Sequence, residues 1–385
     1  MLKEILRKIG EFSAKKPLLV ILIVIIISIF AASYIPHIKK QTSYEKMLPQ
    51  NLEPVKELYE VRDEFGGTDV VEIAVKIVPS DCSDKVVDIR DPRVLNAVKM
   101  LEENLKSVDG ITRVSSPVDV LIKLNGGTVP QSIDTVKKLL RKIPESEREQ
   151  MFNKDYSMMV ITAFTDVGGD EKKCDALYKA VNERIKETPW PPGVEAVQTG
   201  SIALRAILGD LMNESQEITT SVAFLAIMLI IILHFKRITS VIILTPLVFS
   251  LIWTGGFMGL VGIPLDMATS AVGSLVLGLG IDYGIYFGSR YNEEREKGKS
   301  PEDAAIITVT YAGSSVLASA ATTAAGLLSL TIAPLPMMAN LGKVCAAGII
   351  FCCILTIFFL PAVLVLEDKY ILPIIARIKT KLLGK

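Results

Sequence analysis

The chain has 385 residues, half of them hydrophobic, with 42 basic and 42 acidic side chains and a formal net charge of zero. With no basic excess to neutralise phosphates, a nucleic-acid partner is disfavoured. The charge is also segregated. Residues 37–216 are rich in it and residues 217–366 nearly lack it, so one stretch suits water and the other suits lipid.

Residues 1–16 form a basic N-terminus, expected in the cytoplasm. Pro17 to Pro36 is uncharged and matches the roughly 20 apolar residues a helix needs to cross a bilayer. A cleaved signal peptide, with Ala31-Ala32-Ser33 as its small-residue site, is the alternative. The apolar core is longer than such signals carry, which favours an uncleaved anchor over 17–36.

The insert 37–216 alternates strand and helix signals. Residues 70–78 alternate apolar and polar, as in a half-buried strand. Asp91-Pro92 opens a helix with Val94, Val98, Leu101 and Leu105 on one face, closed at Asp109-Gly110. A short strand follows over 111–114, then an amphipathic helix over 131–143. The pattern recurs as a strand over 157–165, a helix over 171–187 and a strand over 194–199. Strand–helix–strand twice over implies an α+β domain, a duplicated split β-α-β with its helices on one sheet face. The insert shows no nucleophile–base pair, Gly-rich phosphate loop or metal-ligand cluster, so neither an enzyme nor a metal site is expected. Cys82 and Cys174 also fall here. They form a candidate disulfide if the insert faces an oxidising exterior.

Residues 217–366 supply five more spans, starting with 218–235, 238–265 and 267–289. The fifth opens at Ala304 and is closed by Pro334 and Pro336, and the last covers 344–366. Lys and Arg gather near the N-terminus, at Lys236 and Arg237, over 290–299 and in the basic tail 367–385, whereas the opposite short loops hold only Lys343. By the positive-inside rule both termini are cytoplasmic and the insert is extracytoplasmic, in a multi-pass protein of the cell membrane.

Asp282 breaks the fourth span. Counted from Asp266 it lies about 24 Å in by helical rise. A carboxylate at such depth is costly and usually marks an ion pathway or proton relay, and Tyr283 beside it offers a hydroxyl. Gly280, Gly284 and Gly288 recur every fourth residue as a smooth stripe for close helix packing. On the fifth span Thr308, Tyr311, Ser315, Ser319, Thr322 and Gly326 share one face, with Ser319 at nearly the depth of Asp282. This polar face is the expected partner of the Asp282 region.

The run Gly278-Leu279-Gly280-Ile281-Asp282-Tyr283-Gly284-Ile285-Tyr286, followed by Arg290-Tyr291-Asn292-Glu293-Glu294, resembles the fourth-span motif of the MMPL branch of the RND superfamily. That branch includes hydrophobe/amphiphile efflux proteins and is related to sterol-sensing domains. Weaker matches are Leu48-Pro49, Phe65-Gly66-Gly67, Thr199-Gly200, Pro334-Leu335-Pro336 and Leu360-Pro361-Ala362. The resemblance implies a proton-coupled exporter of hydrophobic or amphiphilic molecules, lipids foremost, with a porter-like outer domain. By position, Asp282 and Tyr283 would form the relay, and Ser319 would stand where relatives often carry a hydroxyl. No cofactor is implied beyond the proton gradient. Typical members have twelve spans in two repeats and this chain has one, so a homodimer or an assembly of dimers is expected. The intramembrane Lys of the drug-efflux branch has no counterpart here. Two alternatives remain: a SecD/SecF-like protein-export accessory, whose motif lacks the Tyr, and a lipid- or sterol-sensing module, which needs no protonatable Asp.

Overall fold

A computed structural model describes residues 1–65, 69–168, 170–235 and 238–373. Gly66 and Gly67 of the sequence motif, Lys236 and Arg237, and the tail residues Arg377, Lys379, Lys381 and Lys385 lie outside them. Two compact units emerge: Thr42–Asp210, and Met1–Gln41 together with the chain from Leu211 onward.

The chain opens with α1 (Leu2–Lys15) and α2 (Pro17–Tyr34), separated at Lys16. Pro17 has no N–H to donate and is tolerated as the first residue of a new helix, so one helix ends and the next begins there.

The insert contains α3 (Tyr44–Met47), α4 (Glu53–Phe65), β1 (Asp69–Ile77), α5 (Pro92–Leu105), β2 (Ile111–Ser115), α6 (Pro117–Leu124) and α7 (Ile133–Leu140). It continues with α8 (Glu145–Met151), β3 (Met158–Thr165), α9 (Glu171–Glu187) and β4 (Val194–Thr199). Side-chain caps fix the helix starts. Asp91 accepts from the Arg93 N–H, Ser116 from Val118, Ser132 from Thr135, and Asp170 from Lys172 and Lys173. The strands pair antiparallel in the order β2-β3-β1-β4, so β3 lies between β1 and β2, and β1 between β3 and β4. Period-two alternation puts Val71, Ile73 and Val75 of β1 on the buried face with Met159, Ile161 and Ala163 of β3. Val94, Val98 and Leu101 of α5 and Leu177 and Val181 of α9 belong to the same core.

Among the described residues, six helical segments are long and apolar enough to cross a membrane: Pro17–His37, Gly200–Phe235, Val241–Val261, Thr269–Glu296, Pro301–Ile332 and Pro336–Ile371. They are built from α2, α10 (Gly200–Phe235), α11 (Thr245–Val261), α12 (Val272–Glu296), α13 (Pro301–Ser329), α14 (Pro336–Phe358) and α15 (Leu360–Leu366). The second begins at Gly200, well before the apolar stretch at 218. No proline interrupts residues 200–217, so the hydrogen-bonded helix continues through polar sequence. The third begins later than expected: a 3-10 segment covers Ile238–Leu244, and Pro246 stands in the first turn of α11, where it costs no helical hydrogen bond. Close helix approach is clearest between α2 and α11. A Cβ on Gly256 would lie 2.5 Å from the Ala31 carbonyl oxygen, and one on Gly259 even nearer that of Tyr34.

Candidate functional site

The site expected from the sequence lies where α12, α13 and α14 meet. Gly280 of the glycine stripe faces Cys352 of α14, whose thiol donates to the Gly280 carbonyl at 3.5 Å. Gly284 and Gly288 face Ile243. The stripe therefore packs α12 against its own chain, and its absent side chains leave room for Cys352 and Ile243.

Consecutive helical residues point about 100° apart, so Asp282 and Tyr283 have different surroundings. Tyr283 is buried at 4% exposure, with its hydroxyl on the side of Thr323 and Ser319 of α13. Asp282 faces outward with Leu275, Leu279 and Tyr286 and makes no hydrogen bond or ion pair with a described residue. The α13 hydroxyls thus lie on the side of Tyr283, one residue along from the expected partner. Ser315, Ser319 and Thr322 are exposed on the isolated chain, and Thr322 donates its hydroxyl back to the Ser319 carbonyl. Thr308 of the same face is buried and bonded to Ala304.

The N-terminal end of this span is anchored. Asp266 is buried and accepts from the Ala268 and Thr269 N–H groups at 2.9 and 2.8 Å, capping the helical turn that leads into α12. Next to it, Leu265 accepts from the Gln41 N–H and donates to the Lys39 carbonyl, both at 2.8 Å. One backbone ladder thereby joins the segment after the first span to the segment before the fourth.

The opposite end carries a polar cluster that sequence reading did not isolate. Asp368, just past α15, accepts from the Tyr291 hydroxyl at 2.8 Å and from Arg295 at 2.5 Å. Buried Glu294 pairs with Arg290 at 2.7 Å and with Lys297 at 3.0 Å. Arg290, Tyr291 and Glu294 belong to the sequence motif, whereas Asp368 lies far along the chain with no spacing signal to connect it.

The insert holds its own buried ionic network, also missed in sequence. Glu171 accepts from the N–H groups of Thr42 and Ser43 at 2.9 and 3.1 Å and from both their hydroxyls. Arg205, only 4% exposed, donates to the Gly168 carbonyl and stands 3.7 Å from Glu171 and 3.9 Å from Asp69. Arg62 bridges Asp69 and Glu45 at 3.2 and 3.4 Å. Burial pushes the Glu171 carboxyl up, but the bonds from Thr42 and Ser43 and the Arg205 charge outweigh it, leaving its pKa below the ordinary value. At Asp69 burial outweighs both arginines and the pKa is raised. Thr42, Asp69, Glu171 and Arg205 come from four separate segments, so no local pattern could have announced them.

The cysteine pairing is corrected. Cys82 and Cys174 are both free. Cys174 lies on the core side of α9 with its thiol toward the Ile202 carbonyl, and burial lifts its pKa to about 11. Cys82 lies on an exposed loop.

The profile of the MMPL family matches residues 123–380, two-thirds of the chain. The chain belongs to the MMPL family. The Methanocaldococcus jannaschii membrane protein MJ1562 is 55% identical over 98% of both chains. The siderophore exporter MmpL5 of Mycobacterium tuberculosis is 29% identical over 52% of this chain and 21% of its own length. Transport protein MmpL4 of Mycobacterium leprae is 30% identical over 50% of this chain and 20% of its own. The hedgehog release protein Disp from the water bear Hypsibius dujardini shares the fold, with a TM-score of 0.64 and 15% identity over 94% of this chain and 48% of that one. This MMPL protein therefore spans about half the Disp chain and about a fifth of each mycobacterial relative. It is a multi-pass membrane protein of the RND type.

Proposed function

We propose that this MMPL protein is a proton-coupled exporter of hydrophobic or amphiphilic molecules, lipids foremost, with Asp282 as the proton carrier. The observation that carries the reading is the position of Asp282: a carboxylate near the middle of a membrane helix, unpartnered among the described residues, beside a buried Tyr283 on the side of the next helix. An ionised carboxylate in that setting is costly, and taking up a proton removes the cost. Protonation then changes what the Asp282 face packs against, and Tyr283 passes the change to Ser319 and Thr323 on α13.

The same reading places both termini in the cytoplasm and residues 37–216 outside. There the interleaved strand order fits two split β-α-β units of a porter-like domain. Movement of α12 has a route through Asp266 and the Leu265 ladder to Lys39 and Gln41, which follow the first span. The working unit is a homodimer or an assembly of dimers, in which a second copy covers the Asp282 face. The relative named as a siderophore exporter supports export of a sizeable organic molecule.

The test is transport in proteoliposomes under an imposed pH gradient, with lipids that co-purify with the protein as the first substrates tried. Asp282→Asn keeps shape and hydrogen bonding but cannot titrate. It should fold and bind substrate yet lose gradient-driven transport. Wild-type rate and pH dependence in this variant would show that Asp282 is structural and the coupling reading wrong.

A further inference from the structure

Helix α1 has no role in the site described above. By helical geometry its side chains divide into four arcs. Leu6, Gly10 and Ser13 are buried against the bundle. A Cβ on Gly10 would lie 3.1 Å from Val309 Cβ and 3.2 Å from Ile306 Cα, and the Ser13 hydroxyl donates to the Phe358 carbonyl at 2.8 Å. Next to this packed arc, Leu2, Ile5 and Phe12 occupy an arc of about 80° and are exposed at 51%, 50% and 37%, Phe12 also stacking on Phe358 with ring centroids 6.0 Å apart. Beyond them come Lys8 and Lys15, and Lys16 follows at the helix end. None of these three lysines makes an ion pair with a described residue. The remaining arc carries Glu4 and the Arg7–Glu11 pair at 3.1 Å.

We infer that α1 lies in the membrane interface and docks anionic lipid headgroups through Lys8, Lys15 and Lys16. Covalent geometry sets its depth, because Lys16 immediately precedes Pro17, where the first span begins. A helix held at that level with an open apolar edge inserts the edge among acyl chains, and lysines bordering it reach up to the phosphate layer. Charge selects the lipid: three ammonium groups with no ion pair among the described residues complement phosphatidylglycerol-like headgroups and gain little from zwitterionic ones. The packed arc joins α1 to α13, so the headgroup layer on the N-terminal side acquires a fixed contact with the helix that carries Ser319 and Thr323. This inference rests on the membrane-spanning fold alone and stands whether or not the protein transports by proton coupling.

The full chain is reconstituted into nanodiscs of phosphatidylcholine with and without phosphatidylglycerol, and two quantities are measured. Native mass spectrometry after detergent extraction counts retained lipids. The wild type should retain phosphatidylglycerol in preference, and Lys8→Gln/Lys15→Gln/Lys16→Gln should lower that preference by roughly tenfold to a hundredfold. These exposed substitutions leave the packed arc intact, which co-elution with wild type confirms. Separately, the fluorescence of Phe12→Trp in a Trp253→Phe background should be quenched by lipids brominated near the headgroup, relative to Trp253→Phe alone. Equal retention of both lipids by the wild type, or an unchanged preference in the triple variant, would overturn the headgroup assignment. If the tryptophan introduced in place of Phe12 is insensitive to brominated lipid, the apolar edge is covered by water or protein, and the docking itself is overturned.

Discussion

A carboxylate in the middle of a membrane helix must be covered by water, lipid headgroups or another chain, and no described residue bonds or pairs with Asp282. In the proposed relay the two neighbours have different roles: Asp282 carries the proton, and buried Tyr283 lies on the side of the α13 hydroxyls. Tyr283→Phe should weaken gradient-driven transport less than Asp282→Asn. It removes a hydroxyl contact of about 0.5–1.5 kcal/mol and leaves the proposed proton carrier in place. Initial rates of the two variants in the same proteoliposomes rank them, and a Tyr283→Phe rate below that of Asp282→Asn would refute the assignment. Asp282 was legible in the sequence because charge in an apolar run stands out without any structure. Its direction was not, because a shift of one residue rotates a side chain by about 100° and exchanges the α13 face for the open one. The glycine stripe was legible as a close-packing surface, but its neighbours Cys352 and Ile243 were not, since they arrive from distant segments.

At the scale of elements, the helices are held by contacts that backbone geometry makes unforgiving. Gly259 leaves no space for a methyl group beside the Tyr34 carbonyl, whereas nothing lies within 4 Å of a Cβ on Gly278. Gly259→Ala should therefore cost about 1–3 kcal/mol through displacement of α2 from α11, and Gly278→Ala should be tolerated. Thermal unfolding in detergent separates the two, and equal midpoints would show that α2 yields easily. In the insert, Glu171 supports α9 and the segment at Thr42 together. Glu171→Gln should destabilise the fold by about 1.5–3 kcal/mol, because charge-assisted bonds to Thr42 and Ser43 are weakened. The pH dependence has a defined sign. The folded pKa of Glu171 is lowered, so its stabilisation is present above the unfolded value of about 4.3 and is lost as pH falls through the folded value. Asp69, with a raised pKa, works in the opposite direction, so the readout is the difference between wild type and Glu171→Gln. That difference should shrink on acidification, and one that grew would contradict the assignment. Strands and helices such as β1, α5 and α9 were legible because period-two and period-3.6 patterns are local. The amphipathic helix α1 was missed among basic residues, although Leu2, Ile5, Leu6 and Phe12 carry its period.

At the scale of the molecule, the proposed pairing of two copies centres on the face that carries Asp282. The Asp282 face is open along Leu275, Leu279 and Tyr286, and the chain matches about half the length of the Disp structure whose fold it shares. A second copy related by a two-fold axis would bring the same face opposite itself, since a C₂ interface is self-complementary. Such pairing would bury two Asp282 side chains near one another, away from lipid. Two carboxylates in a dry interface cannot both ionise cheaply, which would hold at least one proton in place until water is admitted. The expectation is a mass of twice the 42.0 kDa chain in mild detergent or nanodiscs. The interface can be located as well as counted. Leu279→Cys or Tyr286→Cys should form a crosslink between copies under mild oxidation, whereas Val222→Cys, exposed on α10, should not. Of the native cysteines, Cys345, Cys352 and Cys353 are buried and Cys82 lies in the insert, so the unmodified chain run in parallel gives the background. Crosslinking at Val222 but not at Leu279 or Tyr286 would move the interface to another face. A monomer that sustains gradient-driven transport would show that lipid or water alone covers Asp282, and the paired-carboxylate arrangement would fall with it.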